Sequence, residues 1–375
     1  MTEARRAAVA QAARAVGADW MLLTAPDSLA YAGHVAGIEA GPSPFDGGPS
    51  AALIGPDGAF HVACNELEVP IAEAAGARAH GYEALGFADL RPLHVKYAEA
   101  ARAMLDAARP SGRVAVEPAT LPASLAALLD GRVDSVDGAR ALAERRAVKL
   151  PDEVDRLRRA AHCTAEGQNA VGRALRTGAT ELDAWRDVRL AMERFAGTRT
   201  PVGGDFVSGV ARTAAIGGPA TTRVLEPGDP VIADLAPRVD GYWGDSATTT
   251  ILGEPSDALR RMYAHTHAIW RRVLDTLRPG ITAHDFDAPL RAMVAEGGYA
   301  NPVHMGHGIG ASIHEWPRLV PGEDAVLKPG MVLMVEPGCY HPDIGGVRLE
   351  QMFLLTDDGH EILSPFDIAP EPPVV

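Results

Sequence analysis

Two acids in the C-terminal half of this chain recur in a pattern that implies shared chemistry. Leu225-Glu226-Pro227-Gly228 is followed, after five residues, by Asp234. Leu327-Lys328-Pro329-Gly330 is followed, after five residues, by Glu336. The offset is 102 residues (336 − 234) in both the turn and the acid. Each acid closes an apolar run, Val231-Ile232-Ala233 in the first copy and Val332-Leu333-Met334-Val335 in the second. One acid at the end of a strand is ordinarily a cap or half of a salt bridge. Two at equivalent places in a repeat point to one pseudo-symmetric site, because carboxylates are costly to bury without partners.

The strands that follow add two more acids. Asp240-Gly241 is a strong two-residue hairpin signal. With that turn, Ala236 faces Asp245 and Asp234 faces Ala247, so Asp234 and Asp245 become diagonal neighbours, roughly 7 to 8 Å apart at Cα. The second copy runs from Glu336 through Asp343-Ile344-Gly345-Gly346 to Glu350. Four converging carboxylates repel one another and raise their own pKa values unless cations neutralise them. The site therefore calls for metal. His307 completes it, inside His304-Met305-Gly306-His307-Gly308-Ile309-Gly310, with His314-Glu315-Trp316-Pro317 just beyond. Glycines on both sides let backbone and ligand approach closely.

These residues need elements to hold them. The first 148 residues read as an α/β domain. Helices are expected over Arg5–Val16, Lys96–Ala108 and Leu121–Leu129, with a strand over Trp20–Thr24. Ala51–Ile54 and Phe60–Ala63 flank a Pro-Asp-Gly turn and read as a hairpin. No chemical constellation stands out there. From residue 149 to 375 the chain reads as a second, catalytic domain. Pro151 suits the first turn of a helix and Asp152 and Glu153 its positive end. Thr180 with Asp183, and Thr282 with Asp285, are capping-box patterns that open two more helices.

Composition narrows the class. The chain has 375 residues, 47% hydrophobic and 22% charged, and a formal charge of −14 from 35 basic and 49 acidic residues. That is an ordinary globular balance, and its sign disfavours nucleic acid and anionic lipid as partners. Cys64, Cys163 and Cys339 form no Cys-x-x-Cys pair, which fits a reducing cytosol and excludes a thiolate zinc site. The segment Met1 to Gly17 has no unbroken apolar run, so it does not read as a signal peptide, and no 18-residue apolar stretch occurs elsewhere. A cytoplasmic location is expected.

Asp234, Asp245, His307, Glu336 and Glu350, in that order, resemble the ligands of the dinuclear metallohydrolases of the pita-bread fold, which include Xaa-Pro aminopeptidases, prolidases and methionine aminopeptidases, with creatinase as a metal-free relative. Gly306-His307-Gly308-Ile309-Gly310, His314-Glu315-Trp316-Pro317, Val335-Glu336-Pro337-Gly338 and Gly346-Val347-Arg348-Leu349-Glu350 are especially similar to prolidase. The resemblance covers the chain from about Pro151 to its end and extends more weakly to a creatinase-like N-terminal domain. It implies an α/β N-terminal domain followed by a pita-bread α+β domain with an internal pseudo-twofold repeat. It also implies a hydrolase that splits a C–N bond with a water held between two divalent ions, manganese first, with Co²⁺, Fe²⁺ and Zn²⁺ as alternatives. Asp245 and Glu350 would be shared by both ions, with Glu336 as proton acceptor. His314 would support the oxyanion and His304 would serve the reaction from the pocket wall. Arg348 would orient a ligand carboxylate, and Tyr340 and Trp316 would border the substrate. A homodimer is expected on the same ground.

The substrate-facing residues depart from that pattern. The peptidases carry a substrate-handling histidine about 17 residues before the first ligand, where this chain has Ile216-Gly217-Gly218-Pro219. His304 stands three residues before His307 where the peptidases have a histidine four before, and Asp245 is followed by Ser246-Ala247-Thr248-Thr249 where Thr and Arg are usual. Three readings follow: a peptidase of Xaa-Pro dipeptides or short peptides, a creatinase-like C–N hydrolase of a small non-peptide metabolite, and a non-catalytic binding protein on the same fold. His265 and His267, about 200° apart on an expected helix, cannot share a face. Cys339 lacks a base of its own, and neither Gly203-Gly204 nor Gly217-Gly218 is a phosphate loop.

Overall fold

Short apolar runs in the first part of the chain pair into one mixed sheet. The computed structural model describes residues 2–33, 48–84 and 89–375, and the chain divides into two units, Met1–Arg146 and Ala147–Val375. In the first unit the strands run in the order Arg78–Tyr82, Phe60–Asn65, Ala51–Ile54, Trp20–Leu23, Arg113–Val116, Asp134–Asp137. Ala51–Ile54 and Phe60–Asn65 form the expected antiparallel hairpin around Pro56-Asp57-Gly58. The pair at each end of this order is parallel, and so is the pair of Trp20–Leu23 with Arg113–Val116. Helix Leu93–Ala108 buries Tyr97, Ala101, Met104 and Leu105 in one cluster with Leu22, Leu53 and Val114 of the sheet. The helix expected from Leu121 begins at Ala123, because Pro122 stands in the extended conformation just ahead of it.

The second unit is a repeat down to single hydrogen bonds. Helices Pro151–Ala174 and Glu181–Ala196 open the first copy, and Asp257–Thr276 and Ala283–Glu296 open the second. Gly178 N–H donates to Leu225 O at 3.0 Å, and Gly280 N–H to Leu327 O at 2.9 Å, both members displaced by 102 positions (280 − 178, 327 − 225). The bridges Thr180–Val224 and Thr282–Val326 obey the same offset. Each threonine accepts from the N–H of the aspartate three residues on, so equivalent caps start equivalent helices. Pro151 and the acids behind it start the first helix as expected, and Glu153 turns back to accept from Leu150 N–H at 3.0 Å.

Two sheets carry the acids. Strand Pro230–Asp234 lies between Phe206–Ser208 and Ala247–Ile251, and strand Val332–Val335 lies between Gly306–Gly308 and Gln351–Leu355. Asp234 pairs with Ala247, the register that the Asp240-Gly241 turn dictates. Both turn residues have positive φ, 51° and 83°, which matches the right-handed twist of the flanking strands. The core of the unit is filled by residues such as Met262, Ile269, Phe286, Leu333, Val335 and Phe353, all fully or nearly fully buried. These strands are apolar on both faces until their last residue, so each acid emerges from a rigid, well-packed edge.

Candidate metal centre

The acids meet where the two hairpins converge. Gln168, from the first helix of the unit, donates to Ala233 O at 3.0 Å and Ser246 O at 2.9 Å and accepts from Thr248 Oγ1, which clamps the hairpin that carries Asp234 and Asp245. Glu350 N–H donates to Ala247 O at 2.9 Å, and Thr249 Oγ1 exchanges hydrogen bonds with the backbone N–H and C=O of Arg348. These bonds lock one repeat to the other. Strand Gly306–Gly308 brings His307 alongside Met334. A Cβ on Gly306 would lie 2.0 Å from Met334 O, at a φ of +153°, so only glycine allows that approach.

Ligand atoms of Asp245, His307 and Glu350 lie within 4.8 Å of one another, and all three residues are buried. His307 Nε2 is 3.8 Å from Asp245 Oδ2 and 3.6 Å from Glu336 Oε1. His307 Nδ1 is 2.9 Å from Gly308 O. Donation there assigns the proton to Nδ1 and leaves the Nε2 lone pair facing the acids, the tautomer a metal ligand requires. Burial pushes the His307 pKa down to about 3, so the ring is neutral.

The electrostatics are those of an acid cluster awaiting positive charge. Burial pushes Asp234 up to about 6 against the pull of Arg348. Burial, then the charges of its neighbours, drives Asp245 well above the usual carboxylate range, and Glu350 likewise. Glu336 goes the other way. Burial raises it, but His304 and the charges of His307 and Arg348 outweigh that and leave it below its ordinary value. Asp245 Oδ1 and Glu350 Oε2 are buried and accept no hydrogen bond among the described residues. Orphaned carboxylate oxygens of that kind cost several kcal/mol unless a cation meets them, on the order of ~3 or more each. An oxygen-rich set with one lone-pair-bearing imidazole suits divalent ions. The residues fit the group.

A cavity of about 290 Å³ opens onto this cluster, lined by the acids together with His304, His307, His314 and Arg348 and by Gly204, Asp205, Ile216, Pro302, Val303 and Ile313. His304 Nδ1 lies 3.0 Å from Glu336 Oε1, off the line of a good hydrogen bond. His314 sits at the exposed mouth, with its ring 4.4 Å from that of His307 and 5.7 Å from that of His304. Partial burial, then Arg318 and His304, hold its pKa below the ordinary value. Arg348 is buried and engaged at all three nitrogens: Nε donates to Tyr340 Oη at 3.0 Å, Nη1 to Asp205 at 3.0 Å and to Asp234, and Nη2 to Ile216 O. Tyr340 therefore touches the site through Arg348. Neither Tyr340 nor Trp316 is among the described residues that line the cavity.

Two residues escaped the sequence reading. Asp205 lines the cavity and accepts from Arg348 and from Gly218 N–H at 2.9 Å. Its signal was the preceding Gly204, at φ +95°, where a Cβ would lie 2.2 Å from Asp234 O. Lys149, at the entry to the first helix, is buried against Glu315. It carries no motif beyond standing just before Pro151.

The sequence profile of metallopeptidase family M24 matches residues 155–357, and that of the creatinase/prolidase N-terminal domain matches residues 5–158. The chain is 31% identical over 221 residues to an Xaa-Pro dipeptidase of Pyrococcus furiosus, covering 58% of this chain and 63% of that protein. It is 36% identical over 217 residues to a probable dipeptidase of Mycobacterium bovis, covering 57% of each. These alignments span less than two thirds of the relatives' own length. Among solved structures, an Xaa-Pro dipeptidase from Bacillus anthracis superposes with a TM-score of 0.81 at 26% identity, covering all of both chains. A dipeptidase from Mycobacterium ulcerans superposes with a TM-score of 0.79 at 27% identity, covering 100% of this chain and 98% of that one.

Proposed function

The chain belongs to metallopeptidase family M24, and from that premise we propose that it is a divalent-metal hydrolase of short peptides with proline after the scissile bond. The observation that carries the reading is the pair of unpartnered, buried carboxylate oxygens on Asp245 and Glu350, beside a His307 whose lone pair faces them. The similarity to Xaa-Pro dipeptidases supports a peptide substrate over a small metabolite. We assign the reaction to residues 149–375, with residues 1–148 as the creatinase-like domain.

Asp234, Asp245, His307, Glu336 and Glu350 would hold two divalent ions, manganese in the first instance because oxygen donors dominate the set. When bound, the ions supply charge to the acid cluster and make a water at the site nucleophilic near neutral pH. Glu336, kept ionised by His304, His307 and Arg348, takes the proton of the attacking water and returns it to the leaving proline nitrogen. His314, neutral and at the mouth, donates its N–H to the oxygen of the tetrahedral intermediate. Arg348 holds Asp234 in its ligand orientation, and Tyr340 holds Arg348. His304 steadies Glu336 from the cavity wall. Trp316 and Tyr340 shape the surroundings of the pocket rather than its described lining.

No helix among the described residues is long and apolar enough to cross a membrane. We propose a cytoplasmic homodimer, in keeping with three free, buried cysteines. The test of the activity is a panel of Xaa-Pro dipeptides, Xaa-Pro-Yaa tripeptides and Xaa-Ala controls with manganese-loaded protein. Cleavage confined to the proline peptides and abolished by a chelator is the expected result. Cleavage of none of them, or equal cleavage after the metal is stripped, overturns it.

A further inference from the structure

One buried ionic cluster has no part in the chemistry described so far. Lys149 Nζ donates to Glu315 Oε2 at 2.6 Å, with side chains 1% and 6% exposed. Lys149 also pairs through its backbone N–H with Gly330 O at 2.8 Å, at the turn of the second repeat. Close by, Leu150 N–H and Tyr242 Oη both donate to Glu153, a carboxylate that burial pushes upward and Lys149 pulls back down. A lysine and two acids are thus packed out of water at the entry to the first helix. Such clusters contribute little net stability, since desolvation offsets most of the attraction.

What the cluster does hold is a loop. Glu315 Oε1 accepts from Ser312 N–H at 3.2 Å, and Gly310 N–H donates to Ser312 O at 3.0 Å. The carboxylate of Glu315 fills the space over Gly310, where a Cβ would come within 2.6 Å of it. Trp243 N–H donates to Gly310 O at 2.9 Å, which ties the same loop to the first acidic hairpin. The residue next to Glu315 is His314, exposed at the mouth with no side-chain hydrogen bond to the described residues and with its ring 4.4 Å from that of His307. An exposed imidazole keeps a fixed place only if its backbone is fixed. Here the bonds just named, the pairing of Glu315 with Gly308 and the nearly dry, charge-assisted bond from Lys149 to Glu315 hold that backbone together.

We propose that Lys149 is a positioning residue for His314, acting through Glu315 and the Gly310–Glu315 loop. The inference rests on the catalytic role assigned to His314 above. Lys149→Met is the direct test, and Lys149→Met with Glu315→Met removes the ion pair as a unit, leaving Glu153 to the bonds it accepts from Leu150 N–H and Tyr242 Oη. Either is expected to lower kcat about tenfold or more with KM within about threefold. In a His314→Ala background, Lys149→Met is expected to cost less than about twofold further, because the group it positions is gone. Amide hydrogen exchange supplies a readout apart from activity: exchange at 310–315 should quicken about tenfold or more while strands Pro230–Asp234 and Val332–Val335 stay protected.

Full activity in both charge-removal variants overturns the proposal. So does an undiminished loss from Lys149→Met when His314 is already absent, which would mean that Lys149 acts by another route. A harmless His314→Ala would instead overturn the role given to His314, and this inference with it. A wild-type protein inert on the whole peptide panel would overturn the peptidase reading, and the exchange pattern would still decide whether Lys149 fixes the loop.

Discussion

Stripping the metal should make this protein less stable as the pH rises, the reverse of the usual behaviour of buried acids that are ion-paired. Asp234 shows the size of the effect. Its pKa is about 6 in the folded chain against an ordinary 3.8, a difference of roughly two units, or about 3 kcal/mol. A raised folded pKa means that the folded state binds the proton more tightly than the unfolded chain. The stabilisation is therefore complete below the unfolded value and is lost as the pH climbs through the folded one. Asp245 and Glu350 are raised well above the ordinary range and act in the same sense at higher pH. Glu336 is lowered and opposes them, its stabilisation being present above the unfolded value and lost as the pH falls through the folded one. In a unit of 229 residues (147 to 375), about 3 kcal/mol corresponds to roughly 6 to 12 °C in Tm. Calorimetry of chelated protein across about pH 4 to 7 reads this window directly. Added Mn²⁺ should raise Tm most at the alkaline end, and Asp245→Asn should flatten the slope of the metal-free protein. A metal-free Tm that stays level or rises across the window refutes the reasoning.

Two further outcomes follow from the site. Glu336→Gln should keep the fold but lower turnover by at least ~10², since the amide cannot accept a proton; near-normal turnover with both metals bound would remove Glu336 from the mechanism. Arg348 is the one permanent cation among the described residues lining the cavity, and it is already engaged by Asp205 and Asp234. A free Xaa-Pro dipeptide would bury its carboxylate there without a partner, beside Ile216 and Val303, at a cost of ~1 to 3 kcal/mol or more. C-terminal amides of the same dipeptides should be cleaved about tenfold better or more in kcat/KM, and equal or better cleavage of the free acids contradicts this.

The repeat was legible in the sequence because the physics that positions each acid is local. A Pro-Gly turn, an apolar strand and a two-residue hairpin fix the register of Asp234 against Ala247 without reference to the rest of the chain. The convergence of Asp245 and Glu350 followed from pseudo-symmetry, and His307 joined them on its flanking glycines and the family resemblance. Arg348 could be read as a neighbour of a ligand carboxylate, and it contacts Asp234. The Lys149–Glu315 pair could not be read, because its members stand 166 positions apart (315 − 149), and Asp205, marked only by the preceding Gly204, meets Arg348 from 143 positions away (348 − 205). Nothing in a lysine before a helix reveals that it is dry. Tyr340 shows a subtler limit: its hydroxyl accepts from Arg348, so it reaches the site through a second side chain that spacing alone does not disclose.

Counting the metal tests the central claim most directly. Protein expressed with supplemental manganese, purified and analysed by inductively coupled plasma mass spectrometry should carry two divalent ions per chain. Asp245→Ala or Glu350→Ala, each of which deletes a carboxylate with an unpartnered buried oxygen, should hold fewer than two and lose activity. Wild-type protein that takes up no divalent ion would contradict the account, and the acid cluster would then need another source of positive charge.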